Sequence, residues 1–124
     1  MANPNLASAS SVYVGNAQLS LTATTATQLV SNAASSGKAY LVDSIRVSNT
    51  DTANSVSVTV SLFQSATNTG TAFEFVSALP IPPGQSLVVV AKDEGVTLLE
   101  NESIYVTAGT ASKLKVNAFW KELS

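Results

Sequence analysis

Apolar and polar residues alternate with a period of two along much of the chain. Between Ser55 and Leu62, four apolar residues alternate with four serines and threonines. Successive side chains of a β-strand point to opposite faces, so the valines of this segment are predicted to face a core while the hydroxyls meet water or a neighbour. β-Branched residues are also poor helix formers. The segment is therefore predicted to be a half-buried strand.

The same period predicts strands elsewhere, separated by turns rich in glycine, proline and asparagine. The predicted strands cover residues 12–21, 27–31, 39–48, 72–76, 85–91, 96–99, 103–108 and 113–120. The polar turn at residues 49–54 predicts that the two strands around it form a hairpin. The fully apolar run Leu87–Val90 predicts a strand that is covered on both faces.

About eight or nine short strands without a convincing helix predict an all-β protein. The spacing favours an antiparallel β-sandwich that is jelly-roll-like, with an immunoglobulin-like sandwich as the alternative. Residues 1–11 contain almost no large apolar side chain, and they are predicted to form an extended arm or a disordered tail. No repeat or linker interrupts the rest, so residues 12–124 are predicted to form a single domain.

The composition excludes several kinds of chemistry. The 124 residues include no histidine and no cysteine. A Ser–His–Asp triad, a histidine base, thiol catalysis, a thiolate zinc site and a disulfide are therefore impossible for this chain. Charged residues make up 11%, against about 25% in a typical soluble domain. The polar surface is thus predicted to consist mainly of hydroxyl and amide groups.

Charge and hydropathy argue against two classes of partner. The net charge is −2, which disfavours binding to the phosphate backbone of a nucleic acid. No apolar run approaches the ~20 residues that a membrane-spanning helix needs. The first residues show neither a basic nor an apolar region typical of a signal peptide. We therefore expect no nucleic acid and no membrane among the partners.

The remaining acid–base groups are carboxylates clustered near one short predicted strand, namely Asp93, Glu94, Glu100 and Glu102. A glycosidase needs two carboxylates about 5–10 Å apart. Turns at opposite ends of a four-residue strand would hold these groups roughly 13 Å apart. We interpret them as solvated turn residues. No catalytic residue, cofactor site or metal site is predicted, and we expect that the protein is not an enzyme.

Two further motifs are interpreted as turns. Asn49, Asp51 and Asn54 carry oxygens that could bind Ca²⁺, but one carboxylate makes a weak site, and an Asx-turn is the favoured interpretation. Residues 101–103 match the glycosylation triplet Asn-Glu-Ser. We expect a turn there, with Asn101 in the left-handed region.

Four residues are predicted to contribute to an interface with other proteins: Tyr13, Lys113, Lys115 and Phe119. Trp120 has the parity of the core side, which directs Phe119 outward as a candidate anchor. The two lysines share the other face of the last predicted strand. They form either a small basic patch for a partner or protection of an exposed sheet edge, and the second interpretation is favoured.

An ordered series of segments resembles a known family. The series comprises Ser35–Asn49, the strand Val56–Leu62, Pro82–Gly84 before Leu87–Val90, Leu99–Ala108, Leu114–Val116 and Glu122. It resembles the small β-sandwich virion proteins of tailed bacteriophages, especially those that infect cyanobacteria. The resemblance covers residues 30–124 and rests on apolar and turn patterns rather than on catalytic motifs.

The resemblance implies a structural protein of the phage head surface, neck or tail, located in the virion and assembled in the host cytoplasm. The function expected from it is that of a capsid decoration, or cement, protein that stabilises the head. The alternatives are a neck, tail or fibre-associated structural protein and a carbohydrate-binding module. The partners implied are the major capsid protein or other virion proteins. A homo-oligomer is expected, with a trimer favoured.

Overall fold

The computed structural model describes residues 11–124, in which nine β-strands account for most of the chain. A short 3-10 turn covers Lys92–Glu94. The strands are β1 (Val12–Leu21), β2 (Thr27–Asn32), β3 (Ala39–Asn49), β4 (Val56–Phe63), β5 (Ala72–Ile81), β6 (Ser86–Val90), β7 (Thr97–Leu98), β8 (Glu102–Ala108) and β9 (Leu114–Leu123). Within this part of the chain, no helix is long and apolar enough to cross a membrane.

The strands form two antiparallel sheets. Sheet I has the order β1-β9-β3-β6, with the short β7 paired to β3, and sheet II has the order β2-β8-β4-β5. The first strand pairs with the last, and the second pairs with the eighth. Likewise β3 pairs with β6, and β4 pairs with β5. This wrapped pairing is that of a jelly roll. The structure therefore confirms the predicted antiparallel sandwich. Its strand order is that of the favoured jelly roll and not that of the immunoglobulin-like alternative.

The core lies between the sheets and follows the predicted alternation. In β4, Val56, Val58 and Val60 are buried as predicted. Central β9 contributes Leu114, Val116 and Ala118 from the opposite sheet. Burying each large aliphatic side chain contributes about 1.5–3 kcal/mol relative to leaving it exposed. The small valines and alanines on the central strands allow the two sheets to pack closely.

The predicted hairpin around residues 49–54 is wrong. β3 lies in sheet I and β4 lies in sheet II, so the loop between them crosses from one sheet to the other. The local turn chemistry is nevertheless present, because Asp51 Oδ1 accepts hydrogen bonds from the backbone N–H groups of Ala53 and Asn54. An Asx-turn reverses the chain equally well within a sheet and between sheets, so it does not identify the partner strand.

The prediction that Leu87–Val90 is covered on both faces is also wrong. β6 lies at the edge of sheet I, where Val88 is 49% exposed while Val90 is buried. These two residues lie on opposite faces because the register with β3 shifts between them. A run without polar residues gives no sign of such a register shift.

The first described residue extends the ladder between the first and last strands. Ser11 and Ser124 exchange two backbone hydrogen bonds of 3.1 and 3.2 Å. The strand ladder thus reaches one residue into the segment predicted as an arm. The other ten residues of that predicted arm, residues 1–10, lie outside the described part of the chain.

Candidate interaction surface

The outer face of sheet I carries an exposed phenylalanine at its centre. Phe119 in β9 lies between Ser44 in β3 and Asn16 in β1 in the strand register. Directly opposed residues of neighbouring strands present their side chains on the same face. The Phe119 ring is 45% exposed, and small polar side chains flank it on both sides.

The next row of the same face combines an aliphatic side chain with the only arginine of the sequence. Arg46 in β3 lies opposite Val88 in β6 on one side and opposite Asn117 in β9 on the other. These three residues line a cavity of about 470 Å³ together with Ser44 and Phe119. We call this surface the outer-face patch; it consists of Ser44, Arg46, Val88, Asn117 and Phe119.

The charges around the outer-face patch are largely engaged within the chain. Lys121 forms an ion pair of 3.5 Å with Asp43, and Lys115 Nζ donates a 2.9 Å hydrogen bond to Ser20 Oγ. Arg46 is exposed, and no ion pair joins it to any residue between 11 and 124. Its guanidinium group is therefore available to a carboxylate on a partner.

The four residues predicted for an interface do not share one face. Phe119 and Lys115 lie on the outer face of sheet I. Tyr13 is 64% exposed and lies opposite Glu122 near one end of the sandwich. Glu122 is three residues from Phe119 and so points to the other face of β9, which places Tyr13 on the inner face of sheet I. Lys113 precedes β9, and its carbonyl accepts hydrogen bonds from the backbone and hydroxyl of Thr50.

The favoured role of the lysines as edge protection is wrong for this fold. β9 lies between β1 and β3 and is an interior strand of sheet I. Lys115 therefore projects from the face of the sheet and not from its rim. The sequence could not show this, because the position of a strand within a sheet depends on partners far away along the chain.

An aromatic cluster lies on the inner face near the same end as Tyr13. The rings of Tyr40 and Trp120 are stacked, with centroids 6.2 Å apart and planes within 2°. Trp120 lies opposite Gly15 of β1. Glu122, one row further along, forms a 2.6 Å ion pair with Lys38. Trp120 packs against the core cluster as predicted, although it remains partly exposed.

Burial and the neighbouring charges shift the pKa of the Tyr40 phenol. Burial raises its pKa above the usual 10.0, and the negative charge of Glu122 raises it further, while Lys38 partly opposes both. The same ion pair raises the pKa of Lys38, mainly through its hydrogen bond to Glu122. Both groups thus keep their ordinary ionisation at neutral pH.

Three of the four clustered carboxylates accept hydrogen bonds from backbone N–H groups. Glu94 accepts one from Ala91 and Glu102 accepts one from Leu99, both at 2.8 Å. Glu100 is almost fully buried and accepts one from Gly37 at 2.9 Å. The prediction that these residues are simply solvated is therefore wrong for Glu100, which fastens the loop before β3.

A small depression of about 160 Å³ lies beside this loop, lined by Gln64, Leu99, Glu100, Asn101 and Glu102. Asn101 has a φ of +60°, which confirms the predicted left-handed turn. Its side-chain oxygen accepts a hydrogen bond from Ala66. The polar groups of this depression thus connect loops to one another.

The polar turn after β3 is likewise occupied by internal hydrogen bonds. Asn49 is buried, and its amide donates to the carbonyl oxygens of Asn54 and Ile81. Hydrogen bonds from Ala53 and Asn54 lower the pKa of the Asp51 carboxyl below its ordinary 3.8. Among the described residues, no group of three or more acidic, histidine or cysteine side chains is placed to hold a metal ion.

Arg46 and Val88 belong to the outer-face patch but were not predicted from the sequence as interface residues. Arg46 could have been found, because it lies between the inward-facing Ile45 and Val47 and must therefore point outward. Val88 could not, because every residue around it is apolar. The outer-face patch depends on both strands meeting in sheet I, which no local pattern reveals.

The strand order of the two sheets defines the fold of this chain as an antiparallel jelly-roll sandwich. No family model and no curated protein matches the chain. Among solved structures, it is similar to a chain from Bacillus endospore appendages, a novel family of disulfide-linked pili, at 16% identity. That alignment covers 91% of this chain and 88% of the other, with a TM-score of 0.49.

The chain is also similar to one in the capsid asymmetric unit of cyanophage Pam1, at 16% identity and a TM-score of 0.38. That alignment covers 99% of this chain and 91% of the other. With both TM-scores below 0.5, neither likeness assigns a function to this chain.

Proposed function

We propose that the protein is a non-enzymatic structural component of a tailed-phage virion, and specifically a decoration protein that binds the head surface and stabilises it. The virion assignment is supported by the ordered segments that resemble small phage virion proteins. The observation that carries the binding role is the outer-face patch. It places exposed apolar side chains beside Arg46, which forms no ion pair with any described residue, on the outer face of sheet I.

The composition of the outer-face patch suits a protein partner. Aromatic residues and arginine are enriched among the residues that dominate binding energy at interfaces, whereas lysine and glutamate are depleted. Phe119 and Val88 supply apolar surface, and Arg46 supplies a fork of donors for a carboxylate. The surrounding serine and asparagine side chains are uncharged, so covering them requires no burial of charge. The proposed partner is the major capsid protein or another virion protein.

The proposal is tested by adding the purified protein to phage heads that lack it. We expect the protein to sediment with the heads and to increase their resistance to heat. Phe119→Ser should weaken head binding by about tenfold or more, as expected for a residue at the centre of an interface. Phe73→Ser is the matched control, because Phe73 is similarly exposed but lies in β5 of sheet II.

Each outcome of this experiment decides a different point. Equal loss for Phe119→Ser and Phe73→Ser would show that the outer-face patch is not the binding surface. Binding to isolated necks or tails but not to heads would replace decoration with the neck or tail alternative. If the protein bound no virion part, or if heads without it were equally heat-resistant, the decoration role would be wrong.

A carbohydrate-binding role on a tail or fibre is the second candidate, and the position of Tyr13 favours it. Tyr13 is 64% exposed and lies on the same face of sheet I as the stacked pair of Tyr40 and Trp120. Aromatic side chains offer large apolar faces with a polar tip. Glycan-array binding that is lost in Tyr13→Ser and retained in Phe119→Ser would support this role. An array without hits would dispose of it.

A further inference from the structure

We propose that the outer edge of β1 pairs with β1 of a second copy of this chain, which joins two copies of sheet I into one continuous sheet. This inference concerns self-association and does not depend on the proposed virion role. The observation behind it is that β1 lacks the features by which sheet edges ordinarily avoid pairing with other chains.

Exposed sheet edges present unpaired N–H and C=O groups, and soluble proteins protect them with charges, proline, bulges or short strands. β1 has none of these features. It is ten residues long, and its sequence VYVGNAQLSL contains no charged residue and no proline. Its pairing with β9 runs from Val12 to Leu21 without a register shift. On its other side, β1 pairs with no strand within residues 11–124.

The other edges of the described sandwich all carry protection. β6 has five residues and β7 has two. β2 has six residues and a register shift near Gln28. β5 is long, but it contains Glu74 and Pro80, its register with β4 shifts twice, and Ala78 has a left-handed backbone. The contrast singles out β1 as the edge that is open to another strand.

The exposed apolar residues of β1 are concentrated at its start. The side chains of Val12, Tyr13 and Val14 are 56%, 64% and 84% exposed. A strand added along this edge would cover part of this surface in addition to the backbone groups. These residues alternate between the two faces of sheet I, so the exposure follows the strand edge and not one face of the sheet.

A second β1 is the occupant that these observations favour. β1 carries no charge, so two copies can approach without like-charge repulsion between the strands themselves. Both partners then supply the same unprotected edge, as a two-fold interface requires. Antiparallel pairing about a two-fold axis closes with two copies. The edge therefore favours a dimer over the trimer expected from the sequence.

The solution mass of the full chain, measured by size-exclusion chromatography with light scattering over a range of concentrations, is the first test. We expect a dimer that dissociates on dilution. The double variant Val14→Lys with Gln18→Lys should be a monomer, because charges on an edge strand oppose pairing. Ser86→Lys is the matched control, since Ser86 is exposed on β6 at the opposite edge of sheet I. It should remain a dimer.

Cross-linking then tests the geometry. Since the chain has no cysteine, single cysteines can be placed at Val14, Asn16, Gln18 and Ser20, all exposed on the outer face. A disulfide requires Cα atoms within about 7 Å. In an antiparallel pair, moving two residues from the centre separates the two copies of a residue by roughly 13 Å. Cross-linking should therefore peak at one position or be shared by two neighbouring ones.

Several outcomes would overturn the proposal. One is a wild-type chain that is monomeric at every concentration. Another is a double lysine variant that stays dimeric while folding normally, as shown by its thermal unfolding. Equal cross-linking at all four positions would indicate parallel pairing. Loss of the dimer after deletion of residues 2–10, with the fold retained, would assign the edge to that segment of a neighbouring copy instead of to its β1.

Discussion

Gly15 lies directly opposite Trp120 in the ladder between the first and last strands, and the indole occupies the space that a side chain on Gly15 would need. A Cβ atom at Gly15 would lie 2.5 Å from Trp120 Nε1 and 2.8 Å from Cε2. The indole in turn stacks on Tyr40 of β3. A glycine on the edge strand thus permits an aromatic contact that extends across three strands of sheet I, β1, β9 and β3.

The variant Gly15→Ala is expected to lower the free energy of unfolding by about 1–3 kcal/mol, because the added methyl group displaces a packed ring. Urea unfolding followed by far-UV circular dichroism measures this effect in every variant, including those that lack Trp120, the only tryptophan. Asn16→Ala is the control, since Asn16 is exposed on the other face. In a Trp120→Leu background the cost of Gly15→Ala should largely disappear. An unchanged cost there would contradict the proposed steric origin.

Ala78 offers a substitution that should stabilise the protein. Its φ is +50°, in the left-handed region that costs an alanine about 1–2 kcal/mol and that glycine adopts freely. Ala78→Gly is therefore expected to raise the free energy of unfolding by up to about 1 kcal/mol. The neighbouring Ser77→Gly should instead lower it. Chemical denaturation of both variants is the measurement, and destabilisation by both would rule out the backbone-strain argument.

Glu100 is expected to be the carboxylate on which stability depends most among the four near β7. Glu100→Ala leaves the Gly37 N–H without this acceptor in a part-buried site, which costs about 1–3 kcal/mol. Glu100→Gln retains an acceptor oxygen and should cost less. Glu74→Ala, at an exposed position in β5, is the control and should be near neutral. Thermal unfolding of the three variants gives the comparison. A neutral Glu100→Ala would show that the contact contributes little.

Asp51 predicts a contribution to stability that disappears at low pH. Its folded-state pKa lies below the ordinary 3.8, so the carboxylate stabilises the fold above that value, and the contribution is lost as the pH falls through the folded-state pKa. Asp51→Asn keeps an acceptor oxygen but has no charge to titrate. The stability of the wild type relative to this variant should therefore fall on acidification. A difference that does not change with pH would contradict the prediction.

The sequence predicted the strands more successfully than their partners. The alternation from Val56 to Val60 reflects a local property, namely which side of one strand faces the core, and the structure confirms it. Beyond Val60 the alternation of burial ends, because Ser61 and Phe63 are buried as well. The choice between a hairpin and a crossing at residues 49–54 depends instead on distant strands competing for the same edges. Turn residues carry no information about that competition. The same limit explains why β9 was expected at an edge and lies inside sheet I.

Only part of the candidate surface could be predicted, because the rest depends on which strands become neighbours in the sheet. Phe119 could be directed outward because its neighbours Ala118 and Trp120 have core parity. The cavity beside it requires β3 and β6 to lie next to each other, and only the fold establishes that. The burial of Glu100 could not be predicted, because a carboxylate in a turn is ordinarily exposed. Its burial follows from the packing of the loop before β3, which is distant in sequence.

The ladder between β1 and β9 joins the two strands that lie farthest apart along the chain. Closing so long a loop makes this pairing a late and entropically costly step of folding. On the ribosome, β1 is synthesised long before β9, which is the only strand that it pairs with among residues 11–124. During that interval both of its edges are open, and its sequence offers no charge to keep other nascent chains away. The yield of folded protein should therefore fall as the time between the synthesis of β1 and the synthesis of β9 increases.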